Sequence, residues 1–176
     1  AEAKEIEKKS REMGIPVGIG FKMRYEPIFV KAKELLGEIG NVFAVSAVKN
    51  QPFGDDPARQ WIKSTGCMYE LSVHDYDLIN YIMDAKPVSV KAELDYSLEW
   101  ERENQAYLDV EYDNGVRGQL MSSYSTKAVW TGYDIALTFV GDKGYMRIER
   151  PDRIVINTDS YKVVEVEPIG GMDIFI

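Results

Sequence analysis

The chain has 176 residues, a formal net charge of −8 and 45% hydrophobic residues, enough for one domain with a real core and too apolar for a disordered segment. The acidic balance, with no basic cluster, argues against a nucleic-acid phosphate backbone as partner. No apolar run approaches the ~18 residues that cross a bilayer, so no membrane partner is expected.

Residues 1–14 read as a charged amphipathic helix with Ala3, Ile6, Ser10 and Met13 on its less polar side. Gly14 fits the position after the last turn, and Pro16 prevents continuation. The segment has no apolar signal core, no cap and no preceding loop, so it looks like the tail of something longer. Residues 16–21, PVGIGF, are predicted to form a short buried strand in which Val17, Ile19 and Phe21 alternate with Gly18 and Gly20. A glycine face lets another backbone or a ligand come close. Lys22 to Tyr25 then stand at the end of that strand, which in open α/β sheets faces the ligand crevice.

Glu26-Pro27 opens a second helix, closed by Gly37 and Gly40. Residues 41–49, NVFAVSAVK, are apolar on both sides and predict a strand covered on both faces. Residues 50–65 form a long polar loop with two prolines, a length usually functional or mobile. Trp61 within it either lids the core or touches a ligand.

Residues 66–83 predict one helix of about five turns, with Leu71, Leu78 and Ile82 as an apolar stripe. Glu70, His74, Asp77 and Tyr81 fall on one face. His74 is the sole histidine. Three chemistries fit this face. One is a His–carboxylate surface pair. Another is a shared metal ion, for which there is no second histidine and for which Cys67, the single cysteine, sits on another side of the turn. The third is general acid/base work near the ordinary imidazole pKa of ~6.5, with Glu70 orienting the ring. One cysteine forms no internal disulfide, and a reducing cytoplasm is the expected location.

After Lys86-Pro87 the chain is strand-like. Residues 88–95 and 106–112 alternate, Asp113-Asn114-Gly115 marks a hairpin, and residues 116–125 are its partner. YDIALTFV and YMRIER flank a Gly141-Asp142-Lys143-Gly144 turn, and RIVINT and YKVVEVE complete the set. This predicts an α+β fold: an open, mostly antiparallel sheet with helices on one face. A second copy of the chain is expected to manage the free face and the edges, giving a homo-oligomer.

Laid out in this order, the chain resembles the C-terminal part of the Gfo/Idh/MocA oxidoreductases. The resemblance rests on IPVGIGFKMRYEPIFVKAKELLGEIG (15–40), on ELSVHDYDL (70–78), and on the sequence of Trp61, Gly66, the helix, the Asp-Asn-Gly hairpin and the Gly-Asp-Lys-Gly turn. It implies a glyceraldehyde-3-phosphate dehydrogenase-like C-terminal domain over residues 22–176, with residues 1–21 as the last helix and strand of a Rossmann domain. It also implies NAD or NADP as cofactor, a sugar, cyclitol or related polyol as substrate, and no metal. His74 and Glu70 fall on the family's catalytic histidine and on the aspartate four residues before it; Ser72 replaces the family's usual glycine. Lys22, Asn50, Trp61 and Asp77 are the expected substrate contacts, and Arg24 and Tyr25 a structural pair. No Gly-x-Gly-x-x-Gly opens a βαβ unit, and the family's Glu-Lys-Pro is absent. The cofactor site is therefore expected to lie largely outside the chain, which is expected to be inactive alone. The competing functions are a non-catalytic ligand-binding or dimerisation domain of this fold, and an NAD-retaining glycosidase or lyase.

Overall fold

A computed structural model describes residues 2–53, 57–126 and 134–169. Tyr133, the first residue of the expected YDIALTFV strand, and the GGMDIFI tail from Gly170 on lie outside these residues. The first element is helix α1, Glu2–Met13, which buries none of its residues. It is laced by i,i+4 pairs such as Arg11 with Glu7 (2.5 Å). The strand expected over residues 16–21 is not formed. Ile15, Val17 and Ile19 are 52%, 57% and 78% exposed. The backbone bonds there are local, Phe21 N–H to the Ile19 carbonyl and Lys22 N–H to that of Gly20. A strand exists by pairing, and no described strand lies beside it.

A 3₁₀ turn, Lys22–Tyr25, leads into helix α2, Pro27–Leu35, with proline in its first turn and Glu26 before it, as expected. Strand β1, Val42–Pro52, follows. The remaining strands are β2 (Pro87–Asp95), β3 (Gln105–Tyr112), β4 (Arg117–Thr126), β5 (Asp134–Gly141), β6 (Gly144–Glu149), β7 (Arg153–Asn157) and β8 (Tyr161–Glu165). They form one eight-stranded sheet in the order β2-β3-β4-β1-β5-β6-β7-β8. Only β1 and β4 run parallel; every other neighbour pair is antiparallel. The fold is the expected α+β open sheet.

Helices cover one face. Phe29, Leu78, Ile79 and Ile82 pack with Val45, Ala47, Leu120, Leu137 and Phe139 of the central strands. The prediction that β1 is covered on both faces fails. Val45, Ala47, Lys49 and Gln51 are buried under the helices, while Ser46 on the other side is exposed and Ala44 and Val48 are half-buried. The edge strand β2 departs too. Its register sets Val90, Ala92 and Leu94 opposite Val110, Leu108 and Ala106. The helices do not extend over it, and Val88 and Val90 remain more than 60% exposed.

The single helix expected over 66–83 is in two pieces. A π turn, Met68–Ser72, precedes α4, Val73–Met83, and the Val73 N–H reaches the Met68 carbonyl five residues back. Gly66 makes the entry possible at φ 88° and ψ 162°, a region essentially restricted to glycine. The Glu103 carboxylate occupies the space where a Cβ would stand, 2.3 Å from that position, and accepts from the Met68 N–H at 3.1 Å. A short helix α3, Ile62–Thr65, precedes the glycine. Ile62, Cys67, Leu71, Ala106 and Tyr124 form a small second core beneath Phe53 and Trp100.

Candidate active site

Strand alternation decides which β1 residues reach the helix side. Lys49 and Gln51, both 2% exposed, continue the inward series of Val45 and Ala47. They meet the π turn and the start of α4, which bring Glu70 and His74. The 3₁₀ turn adds Lys22, and Arg59 comes from the turn before α3. Together with Glu26 and Arg150 these side chains line a cavity of about 320 Å³. A larger concavity of about 590 Å³ lies on the free face of the sheet among Ala44, Ser46, Asp109 and Gln119. It holds no histidine; His74 stands on the wall of the smaller cavity.

Behind the cavity wall Lys49 Nζ lies 3.8 Å from Asp75 Oδ1, with both side chains almost fully buried. Burial pulls the Lys49 ammonium down, with Asp75 and Glu70 opposing. Burial likewise pushes the Asp75 carboxyl up, to about 6, against Lys49. Neither Asp75 oxygen has a hydrogen-bond partner.

His74 is pulled down to about 4, first by burial and then by the Lys49 charge; Asp77 opposes and Lys22 adds. At neutral pH the ring is therefore an uncharged base. Phe21 meets it edge-on at 6.1 Å between centroids. The expectation that Glu70 orients the ring is not met: Glu70 Oε2 accepts from the Tyr124 hydroxyl, and His74 Nδ1 is buried without a partner. The π turn offsets Glu70 from the plain i,i+4 geometry, and Tyr124 on β4 takes its carboxylate. Cys67 is fully buried, its thiol pushed up to about 12 by burial and by Glu103.

The helix face that looked continuous in sequence divides in two. Glu70 and His74 face the cavity. Asp77 does not: both its oxygens take the Arg24 guanidinium, at 2.7 Å from Nε and 2.5 Å from Nη2. Tyr81 lies beneath Arg24 and Lys33. Arg24 is thus structural, as expected, and it occupies the carboxylate expected to bind substrate. Tyr25 is 69% exposed.

Among the other expected substrate contacts, Lys22 lines the cavity. Asn50 lies one residue out of phase, on the opposite face of the sheet from Lys49 and Gln51. Trp61 is 55% exposed and is not part of the wall; its carbonyl takes the Ser64 and Thr65 hydroxyls. Lys49, Gln51, Arg59 and Arg150 are the wall residues that sequence reading missed. The alternation of β1 carried the signal for the first two. Arg150 is placed by two hydrogen bonds that it donates to Glu26, at 2.8 and 2.9 Å, between residues 124 apart in sequence.

Residues 29–147 match the family profile described as the GFO/IDH/MocA C-terminal domain. The chain is 28% identical over 151 residues to the scyllo-inositol 2-dehydrogenase (NAD(+)) of Bacillus subtilis, covering 81% of this chain and 43% of that protein. Its fold resembles an inositol dehydrogenase homolog from Azotobacter vinelandii complexed with NADH and myo-inositol, with a TM-score of 0.82 at 15% identity over 97% of this chain and 48% of the other. It also resembles an oxidoreductase from Agrobacterium radiobacter in complex with NAD+, L-tartaric acid and magnesium, with a TM-score of 0.83 at 17% identity over 95% and 51%. At such identities the structural likeness bears on fold alone. The chain spans about half the length of the relatives it matches.

Proposed function

The chain belongs to the GFO/IDH/MocA family, carrying its C-terminal domain, and from that premise we propose that it forms the substrate half of an NAD- or NADP-dependent oxidoreductase acting on a hydroxyl of a sugar, cyclitol or related polyol. The observation that carries the reading is His74 on the wall of a polar cavity, with Glu70, Lys22 and Lys49 on the same lining. In this reading Lys22, Lys49 and Gln51 position the substrate, and the imidazole accepts the proton that leaves its hydroxyl oxygen. Glu70, fixed by Tyr124, shapes the wall beside it.

The described residues do not fit a dinucleotide. None forms the strand, glycine turn and helix that cradle a pyrophosphate. A nicotinamide held outside the described residues would accept the hydride; the residues here would handle the proton. Residues 1–21 are read as the closing segment of a Rossmann domain, its strand not formed here, a reading supported by an α1 that buries none of its residues and by the uncovered Ile15, Val17 and Ile19. The 1–176 chain alone is expected to be inactive.

The test is turnover of a polyol and sugar panel by the full-length protein, read as reduced nicotinamide. His74→Ala is expected to lower the rate by about 10²–10⁴-fold. Turnover unchanged by that substitution would leave a non-catalytic domain. Bond cleavage without net reduced nicotinamide would point to a cofactor-retaining glycosidase or lyase.

A further inference from the structure

We propose that this cavity selects a polyol or sugar carrying an anionic group, a carboxylate or a phosphate, over its neutral counterpart. The inference rests on reading the cavity as the substrate site.

Four cationic side chains, Lys22, Lys49, Arg59 and Arg150, stand on the wall against two carboxylates, Glu26 and Glu70. Glu26 receives two bonds from Arg150, so these two offset each other, and Glu70 keeps its charge while held by the neutral Tyr124 hydroxyl. Adding Asp75, which lies behind the wall, still leaves four cations to three acids among the described residues.

Lys49 is the decisive group. Its side chain is 2% exposed, and its nearest described acid, Asp75, stands at 3.8 Å, beyond ordinary hydrogen-bond length. A buried ammonium held this way calls for a counter-charge from the cavity side. A hydroxyl brings only a dipole. A carboxylate or phosphate brings a full charge and shorter, charge-assisted bonds, and its flat or tetrahedral oxygens can meet Lys49 and a second cation at once. A neutral polyol would displace the water around these cations and return less to them. The volume of about 320 Å³ is at the lower end of ligand pockets, ~300–1,000 Å³. It suits one sugar ring or a shorter hydroxy acid, and is too small for a nucleotide-sized appendage.

The experiment uses the full-length protein and skeleton-matched probes: a hexose, its uronate, its aldonate and its terminal phosphate. Binding is measured by calorimetry at low and high salt, and turnover separately by reduced nicotinamide. The anionic members should bind at least about tenfold more tightly than the hexose, with the margin shrinking at high salt; carboxylate against phosphate identifies the group. Lys49→Gln should raise KM for the anion at least about tenfold and narrow the anion-to-neutral ratio. The paired change Lys49→Gln with Asp75→Asn leaves neither member of the buried pair charged, and Arg59→Gln probes a second cation of the lining, so loss of folding in one variant does not end the test. A hexose that binds as tightly as its uronate and phosphate overturns the proposal, even if it is oxidised well and the oxidoreductase reading survives. Anion binding without turnover of any probe keeps the anionic site and removes the oxidoreductase reading. Binding of neither class overturns the proposal.

Discussion

His74 takes its acidity from what surrounds it. Burial and the nearby Lys49 and Lys22 hold its pKa at about 4, against an ordinary 6.5. If the imidazole is the base, kcat/KM of the full-length enzyme should lose its acid limb near pH ~4 rather than near ~6.5. A limb at the ordinary histidine value would mean that another group accepts the proton. The same shift bears on stability, with Asp75 opposing it. Between 6.5 and about 4 the unfolded chain binds more protons at His74 than the folded chain, so acidification there destabilises. Asp75, raised from 3.8 to about 6, binds more protons in the folded state, so acidification over that window stabilises. The two largely offset. Asp75→Asn should therefore lose stability more steeply than the parent as pH falls from about 6.5 to about 4, read from urea midpoints. Parallel slopes would contradict this.

At the scale of elements, two fasteners set the cavity. Arg24 ties the 3₁₀ turn to α4 through Asp77, and Glu103 seats the π turn under Gly66. Arg24→Met leaves a nearly buried carboxylate with no partner and should lower stability by about 1–3 kcal/mol. Lys22 enters from the same turn, so KM should rise as well. Gly66→Ala forces a side chain into a glycine-only conformation and into the Glu103 carboxylate; a loss of ~1–3 kcal/mol or more is expected, or several degrees in Tm for a domain of this size. These elements also mark how far the sequence could be read. Periodicity gave α2, α4, the hairpins and the pairing of Glu70 with His74 on one wall, because helix and strand periods are set by local geometry. The π turn has no period of its own and was invisible. In β1, Lys49 and Gln51 continue the phase of Val45 and Ala47, but a stretch apolar on both sides names no inward face; Asn50 was expected from the family resemblance, and it lies on the side of the strand away from the cavity.

For the whole molecule, the uncovered face of the sheet is where self-association would act. Ser46 stands exposed on β1 near the middle of that face, and shares a shallow concavity with Val48, Met121 and Tyr107. Ser46→Arg should be tolerated by the monomer fold and should dissociate an oligomer built on this face, measured by light scattering of the full-length protein. An unchanged mass would place the contact elsewhere. The sheet and its one-sided helices were legible from strand alternation. The state of residues 15–21 was not, since their alternation says nothing about whether a neighbouring strand is present to pair with.

The parallel pairing of β1 with β4 has a consequence for how the domain is made. The strand at the middle of the sheet leaves the ribosome early, yet its two edges stay open until Arg117–Thr126 and then Asp134–Gly141 have been synthesised. Most of the contact order of the domain is held in those late pairings, so it should fold slowly and as a near-complete unit. A stall in translation before β5 would leave the future centre of the sheet as a bare template for a neighbouring nascent chain.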